Sequence, residues 1–350
     1  MAAALAAAAL FGVGTPLAKL LLPGTGAMML AALLYGGAGL GLVAIGVVRR
    51  ALGWSRREAP IRRGDLPLLA GVVLSGGVVA PVLLLLGLER LPAADASLLL
   101  NLEAPITVLL AVAIFGEHVG GRVLVGTALI VVGAATLGGG TAPGGRWIGM
   151  ALVAAACLGW AVDNNLTQRL SLRDPIAIAR VKALAAGAIN LMLALAAGHA
   201  LPAGPQLAGP LAVGTVSYGL SIALAVRAMS LLGAARQAAL FAAAPFVGAV
   251  ASAFLVGDRV DLPAGLVMAA GMALLVREWH EHVHVHEPLE HDHLHVHDEH
   301  HRHEHDGVRE ASEPLSHPHR HASQTHAHPH VSDVHHRHAH GWRWWRSAPR

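Results

Sequence analysis

The sequence predicts an all-α polytopic membrane protein with ten transmembrane helices in two inverted five-helix repeats, followed by a disordered His-rich tail. Three observations predict it. The 350 residues are 54% hydrophobic and only 13% charged, and the charge is more than twice as dense after Trp279 as before it. One helix-hairpin pattern occurs twice, about 140 residues apart. Beyond Trp279 the apolar composition gives way abruptly to histidine.

Each element can be read in order. A hydrocarbon core needs about 20 apolar residues per helix. Ten runs meet this: residues 2–22, 27–48, 66–86, 93–115, 120–139, 147–170, 176–198, 209–231, 234–256 and 260–277. A soluble helical bundle cannot absorb so many unbroken apolar runs. The first run is longer than the apolar part of a leader peptide and holds Lys19, so it reads as a retained span. The single cysteine, Cys157, lies in the sixth span; it excludes an intramolecular disulfide and suits packing. Three units follow: a first repeat over 1–139, a second over 140–277, and a cytoplasmic tail over 278–350.

The repeated unit runs from Ala93 to Leu137 and again from Ala234 to Val276. Both copies pass an Ala-Pro step (Ala104-Pro105, Ala244-Pro245), a Gly-acid turn (Gly116-Glu117, Gly257-Asp258) and a glycine-spaced apolar helix. Pro105 and Pro245 predict a symmetric pair of bends. Glu117 and Asp258 are expected to cap the following helix or to pair with Arg122 and Arg259. Five spans per copy is an odd number, so the second copy enters with opposite orientation. Arg49, Arg50, Arg56, Arg57, Arg62 and Arg63 place the loop between spans 2 and 3 in the cytoplasm. Both termini are then expected in the cytoplasm, with the chain in an inner (plasma) membrane. The basic pI belongs to these loops, and nucleic acid is not an expected partner.

Here the chain resembles a known family. The segments FGVGTPLAKLLL (from Phe11), CLGWAVDNNLTQRL (from Cys157) and the two hairpins are similar to the drug/metabolite transporter superfamily, and within it to the EamA-type ten-helix transporters. The resemblance spans roughly residues 1–277. It implies a transporter of two inverted repeats and raises the standing of Lys19, because such first helices often carry a basic residue there. It does not fix a substrate, since family members resemble exporters of amino acids, metabolites, drugs and nucleotide-linked compounds.

An ionisable group at the bilayer centre costs at least about 2.5 kcal/mol, so each needs a reason. Glu103 lies deepest, in span 4, with Thr107 one turn further on the same face; it suits a proton carrier or cation ligand. Replacing it with Gln is expected to flatten the pH dependence of transport. In span 6, Trp160, Asn164 and Thr167 follow helical spacing and Asp163 borders the stripe, which reads as a cavity lining rather than hydrogen-bonded glue between helices. In span 7, Lys182 and Asn190 share a face. Snorkelling to the head groups remains open for Lys19, Lys182 and Arg180. The mixed charges predict pairing across the repeats and a zwitterionic or anionic organic substrate.

All of the 24 histidines except His118 and His199 lie in the tail. His280, His282, His284, His286, His291, His293, His295 and His297 alternate with other residues, so an extended chain would turn neighbouring imidazoles to one side. Such tracts suit zinc, nickel, cobalt or copper, and no fixed spacing marks a structural zinc fold. Titration near neutral pH leaves a pH-sensing tail open. Gly341-Trp342-Arg343-Trp344-Trp345-Arg346 suits docking on an anionic leaflet.

These features predict a secondary transporter that exports small organic metabolites or drug-like compounds by alternating access. Divalent metal efflux, metal regulation through the tail, and a metal-storing membrane scaffold are the alternatives. Nucleophile-elbow and phosphate-loop GxxxxGK[ST] patterns do not occur, so an enzyme is not expected and energy should come from a gradient or exchange. The expected partners are the lipid bilayer, a small-molecule substrate and divalent metal ions on the tail; a homodimer stays open. No cofactor is required.

Overall fold

The computed structural model describes residues 1–53, 59–115, 121–137, 145–170, 173–232 and 234–276, and the strand residues 280–286, 289–295, 315–321 and 324–330. Arg56, Arg57, Glu117, His297 and the 341–346 segment lie outside the described residues. Eight helices are long and apolar enough to cross a membrane: Ala2–Gly24, Ala27–Ala51, Arg63–Leu88, Ala93–Leu110, Arg146–Gln168, Pro175–Ala196, Gly204–Met229 and Arg236–Leu255. Shorter apolar helices, Gly121–Thr136 and Leu262–Val276, stand in the fifth and tenth places. The chain is a multi-pass membrane protein, and these are called spans 1 to 10 below.

Span 8 begins at Gly204 rather than 209. Pro205 sits in its first turn, where a missing N–H costs nothing and a fixed φ favours the helix. The helix therefore starts in a segment less apolar than the run that follows.

Packing respects an exchange of the two copies, span 1 with 6, 2 with 7, 3 with 8, 4 with 9 and 5 with 10. Span 1 packs on span 9 as span 6 packs on span 4. Span 2 meets span 7, and span 10 meets span 5. In the last pair a Cβ on Gly126 would lie 2.7 Å from the Gly271 carbonyl oxygen, and one on Gly271 would lie 2.6 Å from that of Gly126. Only glycine permits that backbone approach, which stands in for hydrophobic drive in lipid. The largest buried cluster runs through spans 1 to 6 and reaches spans 9 and 10, with Cys157 fully buried inside it.

Two irregularities recur in both copies. Span 3 contains a π-helical turn at Val73–Val79, and span 8 contains one at Gly214–Leu220. Span 4 is broken: Ala93–Leu99 passes through a 3-10 turn, Leu100–Leu102, into Glu103–Phe115. Span 9 is broken likewise between Ala234–Phe241 and Ala244–Leu255. Each proline lies in the first turn of the second half, so it marks where the helix restarts, and the irregular backbone comes just before it.

The described part of the tail forms four strands, β1 (His280–His286), β2 (Leu289–His295), β3 (Leu315–His321) and β4 (Gln324–His330). β1 pairs antiparallel with β4, and β2 with β3. The register sets His280 opposite His330, His282 opposite His328 and His284 opposite His326.

Candidate functional site: a two-lobed cavity between the repeats

Two lobes open where the copies meet. The first has a volume of about 520 Å³ and the second about 590 Å³. They share Phe11, Glu103, Trp160, Asn164, Tyr218 and Phe241, so they meet at Glu103.

Spans 4, 6 and 7 build one wall. Glu103 opens the second half of broken span 4, and its Oε1 accepts a hydrogen bond from Asn164 Nδ2 at 2.8 Å. The Lys182 ammonium is paired with the Asp163 carboxylate, whose side chain is 5% exposed. Thr167 Oγ1 donates to Asp163 Oδ1 at 3.2 Å. The structure thus brings together Glu103, Thr107, Trp160, Asp163, Asn164, Thr167 and Lys182 around the cavity. A Cβ on Gly76 would collide with the Asp163 carboxylate, so span 3 must carry a glycine there.

The π-turn of span 3 fixes this wall. Its Gly76 carbonyl accepts from Tyr35 Oη at 2.7 Å and from Trp160 Nε1 at 3.0 Å, and the Gly77 carbonyl accepts from Asn190 Nδ2 at 3.0 Å. Helix irregularities free backbone acceptors, and here they are spent on orienting side chains. Asn190 is thereby fully buried beside span 3 and is not among the residues lining either lobe.

The opposite wall is aromatic. Phe11, Tyr35, Tyr218 and Phe241 come from spans 1, 2, 8 and 9. Phe11 contacts Tyr218 at 5.6 Å edge-on and Phe241 at 5.3 Å. Sequence reasoning assigned none of the four to the cavity. One signal was available: the chain has two tyrosines, and both are here.

The two ends of the bundle differ. At the end carrying Arg49, Arg50, Arg62 and Arg63, the first lobe's lining extends to Gln168, Arg173 and Pro175, and Arg173 bonds Asp65 at 2.7 Å. The far end is tied across elements. Lys19 donates to the Leu88 and Leu91 carbonyls, and Arg146 pairs with Asp95 at 2.8 Å. Lys19 therefore stands at that end, away from both lobes. Asp258 Oδ2 accepts from Ala94 N at 3.1 Å, so it caps span 4 of the other copy, not the helix that follows it. That nearer cap is Asp261, whose Oδ1 accepts from Ala264 N at 3.0 Å. Residues at the turn are interchangeable as acceptors, and fold geometry decides which end each one reaches.

A model of the EamA-like transporter family matches the chain twice, over residues 1–139 and 147–276. An "uncharacterized transporter" of Methanothermobacter thermautotrophicus is 33% identical over 233 residues, which cover 62% of this chain and 66% of that protein. The chain thus spans just under two thirds of that relative's length. One solved chain, described only as "crystal structure of protein", superposes with a TM-score of 0.54 at 21% identity, over 79% of this chain and 97% of its own; it shares the fold.

Proposed function

The chain belongs to the EamA-like transporter family, and from that premise we propose that it is a secondary transporter exporting small organic metabolites or drug-like compounds by alternating access. The observation that carries this reading is the cavity at the seam, charged on one wall, whose described lining reaches the arginine-rich end. Each lobe falls within the roughly 300–1,000 Å³ typical of sites for small organic ligands. Lys182, Asp163 and Glu103 suit a zwitterionic or anionic solute, and the aromatic wall suits its apolar body. By the positive-inside rule the arginine-rich end is cytoplasmic, in an inner (plasma) membrane with both termini inside. The arrangement is then inward-facing, with Lys19, Asp95, Arg146 and Asp258 holding the outer end together. Inverted repeats of this kind exchange which end is held.

Metabolite profiling of cells with and without the protein tests this. Expression should deplete at least one small organic solute from the cells and raise it in the medium, and Lys182→Met should abolish the difference. Identical profiles would defeat the reading.

A second reading concerns the tail. Directly opposed positions of an antiparallel ladder lie about 4.5–5.5 Å apart at Cβ, and the β1–β4 register opposes three pairs of histidines. That supports binding of zinc, nickel, cobalt or copper as a buffer or regulator. Neither lobe has a His or Cys among its described lining residues, which favours an organic cargo over metal. Deleting residues 279–350 separates the cases. Loss of metal resistance with organic efflux intact assigns the metal role to the tail, and loss of both joins it to transport. Unchanged behaviour removes the metal role.

A further inference from the structure

The second lobe is chemically unlike the first. Among its described lining residues, Glu103 is the one carboxylate, and there is no Lys, Arg or His. The first lobe, in contrast, holds Lys182 and Arg173. Beside Glu103 stand two buried oxygens from the same broken span. Asn101 is 1% exposed and its Nδ2 donates to the Leu98 carbonyl at 2.8 Å, yet its Oδ1 has no partner among the described residues. Thr107 Oγ1 is likewise buried without a partner. Both residues line this lobe. A buried acceptor left unpaired is costly, so an isolated pair of them beside a carboxylate asks for something that donates or is positive. All three line this lobe around the break in span 4. The 3-10 turn Leu100–Leu102 carries Asn101 just ahead of the helix start at Glu103, and Thr107 follows one turn later. Span 9 has the same break but places Phe241, Ala243 and Val247 at the matching positions, reckoned from the two Ala-Pro steps. The oxygen cluster is thus particular to one copy and is not a requirement of the bend.

We propose that the second lobe is a binding site for a monovalent cation, either an alkali ion or a primary ammonium group, held by the oxygens of Asn101, Glu103 and Thr107. Oxygen donors suit hard cations, and broken membrane helices commonly supply such sites. An alkali ion would be a coupling ion. An ammonium group would be the positive end of the solute, with Lys182 receiving its negative end. For its purpose the inference rests on the transport reading, but it is tested by binding, so its failure leaves that reading standing.

The full chain in detergent is titrated with sodium chloride, potassium chloride or methylammonium chloride while its unfolding temperature is followed. A bound cation stabilises by mass action, and a rise of about 3–6 °C is expected at saturating concentration. Glu103→Gln should cut the rise to under about 1 °C, while Asn101→Leu and Thr107→Val should at least halve it. Where Glu103→Gln does not fold, the other two variants carry the test. A rise with sodium or potassium assigns an alkali ion; a rise with methylammonium alone assigns the solute's head group. No rise with any salt, or a rise that survives in every folded variant, overturns the proposal.

Discussion

The two walls of the cavity are related by the exchange of copies, yet their chemistry differs. Spans 4, 6 and 7 carry Glu103, Asp163, Asn164 and Lys182, whereas their counterparts, spans 9, 1 and 2, carry Phe241, Phe11 and Tyr35. The backbone irregularities are shared: both copies have a π-turn in the third span and a break in the fourth. The two copies therefore share their backbone irregularities while their side chains differ. This separation makes physical sense. Alternating access needs two similar conformations of the backbone, but a solute needs one asymmetric set of contacts. The comparison predicts that substitutions on the charged wall cost far more than matched ones on the aromatic wall.

The largest effect should come from splitting the ion pair. Asp163→Ala leaves the Lys182 ammonium, whose side chain is 21% exposed, without its carboxylate. A cost of about 3 kcal/mol is expected, as for other pairs largely withdrawn from water. Removing both charges, as Asp163→Ala with Lys182→Met, should recover at least half of it. Phe241→Leu on the opposite wall should cost under about 1.5 kcal/mol, as a mild change of apolar shape. Unfolding in detergent measures all three, and a Phe241 cost equal to that of Asp163 would break the comparison.

Gly76→Ala comes next. The new Cβ would press on the Asp163 carboxylate, and such overpacking typically costs about 1–3 kcal/mol. Because the collision is with Asp163 itself, Gly76→Ala combined with Asp163→Ala should cost less than the two single losses added together. Additive losses would mean that the collision is relieved elsewhere and that the π-turn is not what seats the charged wall.

How far this contrast was legible in the sequence follows from the same physics. The charged wall stood out because polar residues inside apolar runs demand a reason. The helical spacing of Trp160, Asn164 and Thr167 followed from it, whereas the bond from Asn164 to Glu103 joins two spans and is seen only in the fold. Phe11, Tyr35, Tyr218 and Phe241 escaped notice because an aromatic ring in an apolar helix suits lipid as well as a cavity. The π-turns had no distinct signature either; Ser75-Gly76-Gly77 reads as ordinary small-residue packing. The two prolines did mark real irregularities, but their sequence position could not show that the oxygen-bearing turn lies just upstream. The Arg173–Asp65 pair joins residues more than a hundred positions apart, and no local pattern announces it.

Glu103 tests function rather than stability. Glu103→Gln keeps the size of the side chain and can still meet Asn164, so the protein should accumulate normally. Transport should fall at least about tenfold, near 1.4 kcal/mol. The matched change in the other copy, Ala243→Ser, should stay within about twofold, well under 1 kcal/mol. Solute efflux normalised to protein amount reads both. Equal losses would show that the break in span 9 contributes chemistry of its own and not only a change of helix direction.

Asp258 offers the smallest but most local test, because it reaches from the second copy to the start of span 4. Asp258→Ala should cost about 1 kcal/mol, the usual loss for a helix-start acceptor, and Asp258→Asn should retain most of the cap. Asp261→Ala removes a cap of similar strength inside its own copy. The two differ in where the loss is felt. Hydrogen exchange in the Ala93–Leu99 segment should quicken with Asp258→Ala and stay unchanged with Asp261→Ala, whose effect should appear at Ala264. If the Ala93–Leu99 segment exchanges faster in both variants, or in neither, the end far from the arginine-rich loops is not held by this contact between the copies, and the burden shifts to Arg146 with Asp95 and to Lys19 on the Leu88 and Leu91 carbonyls.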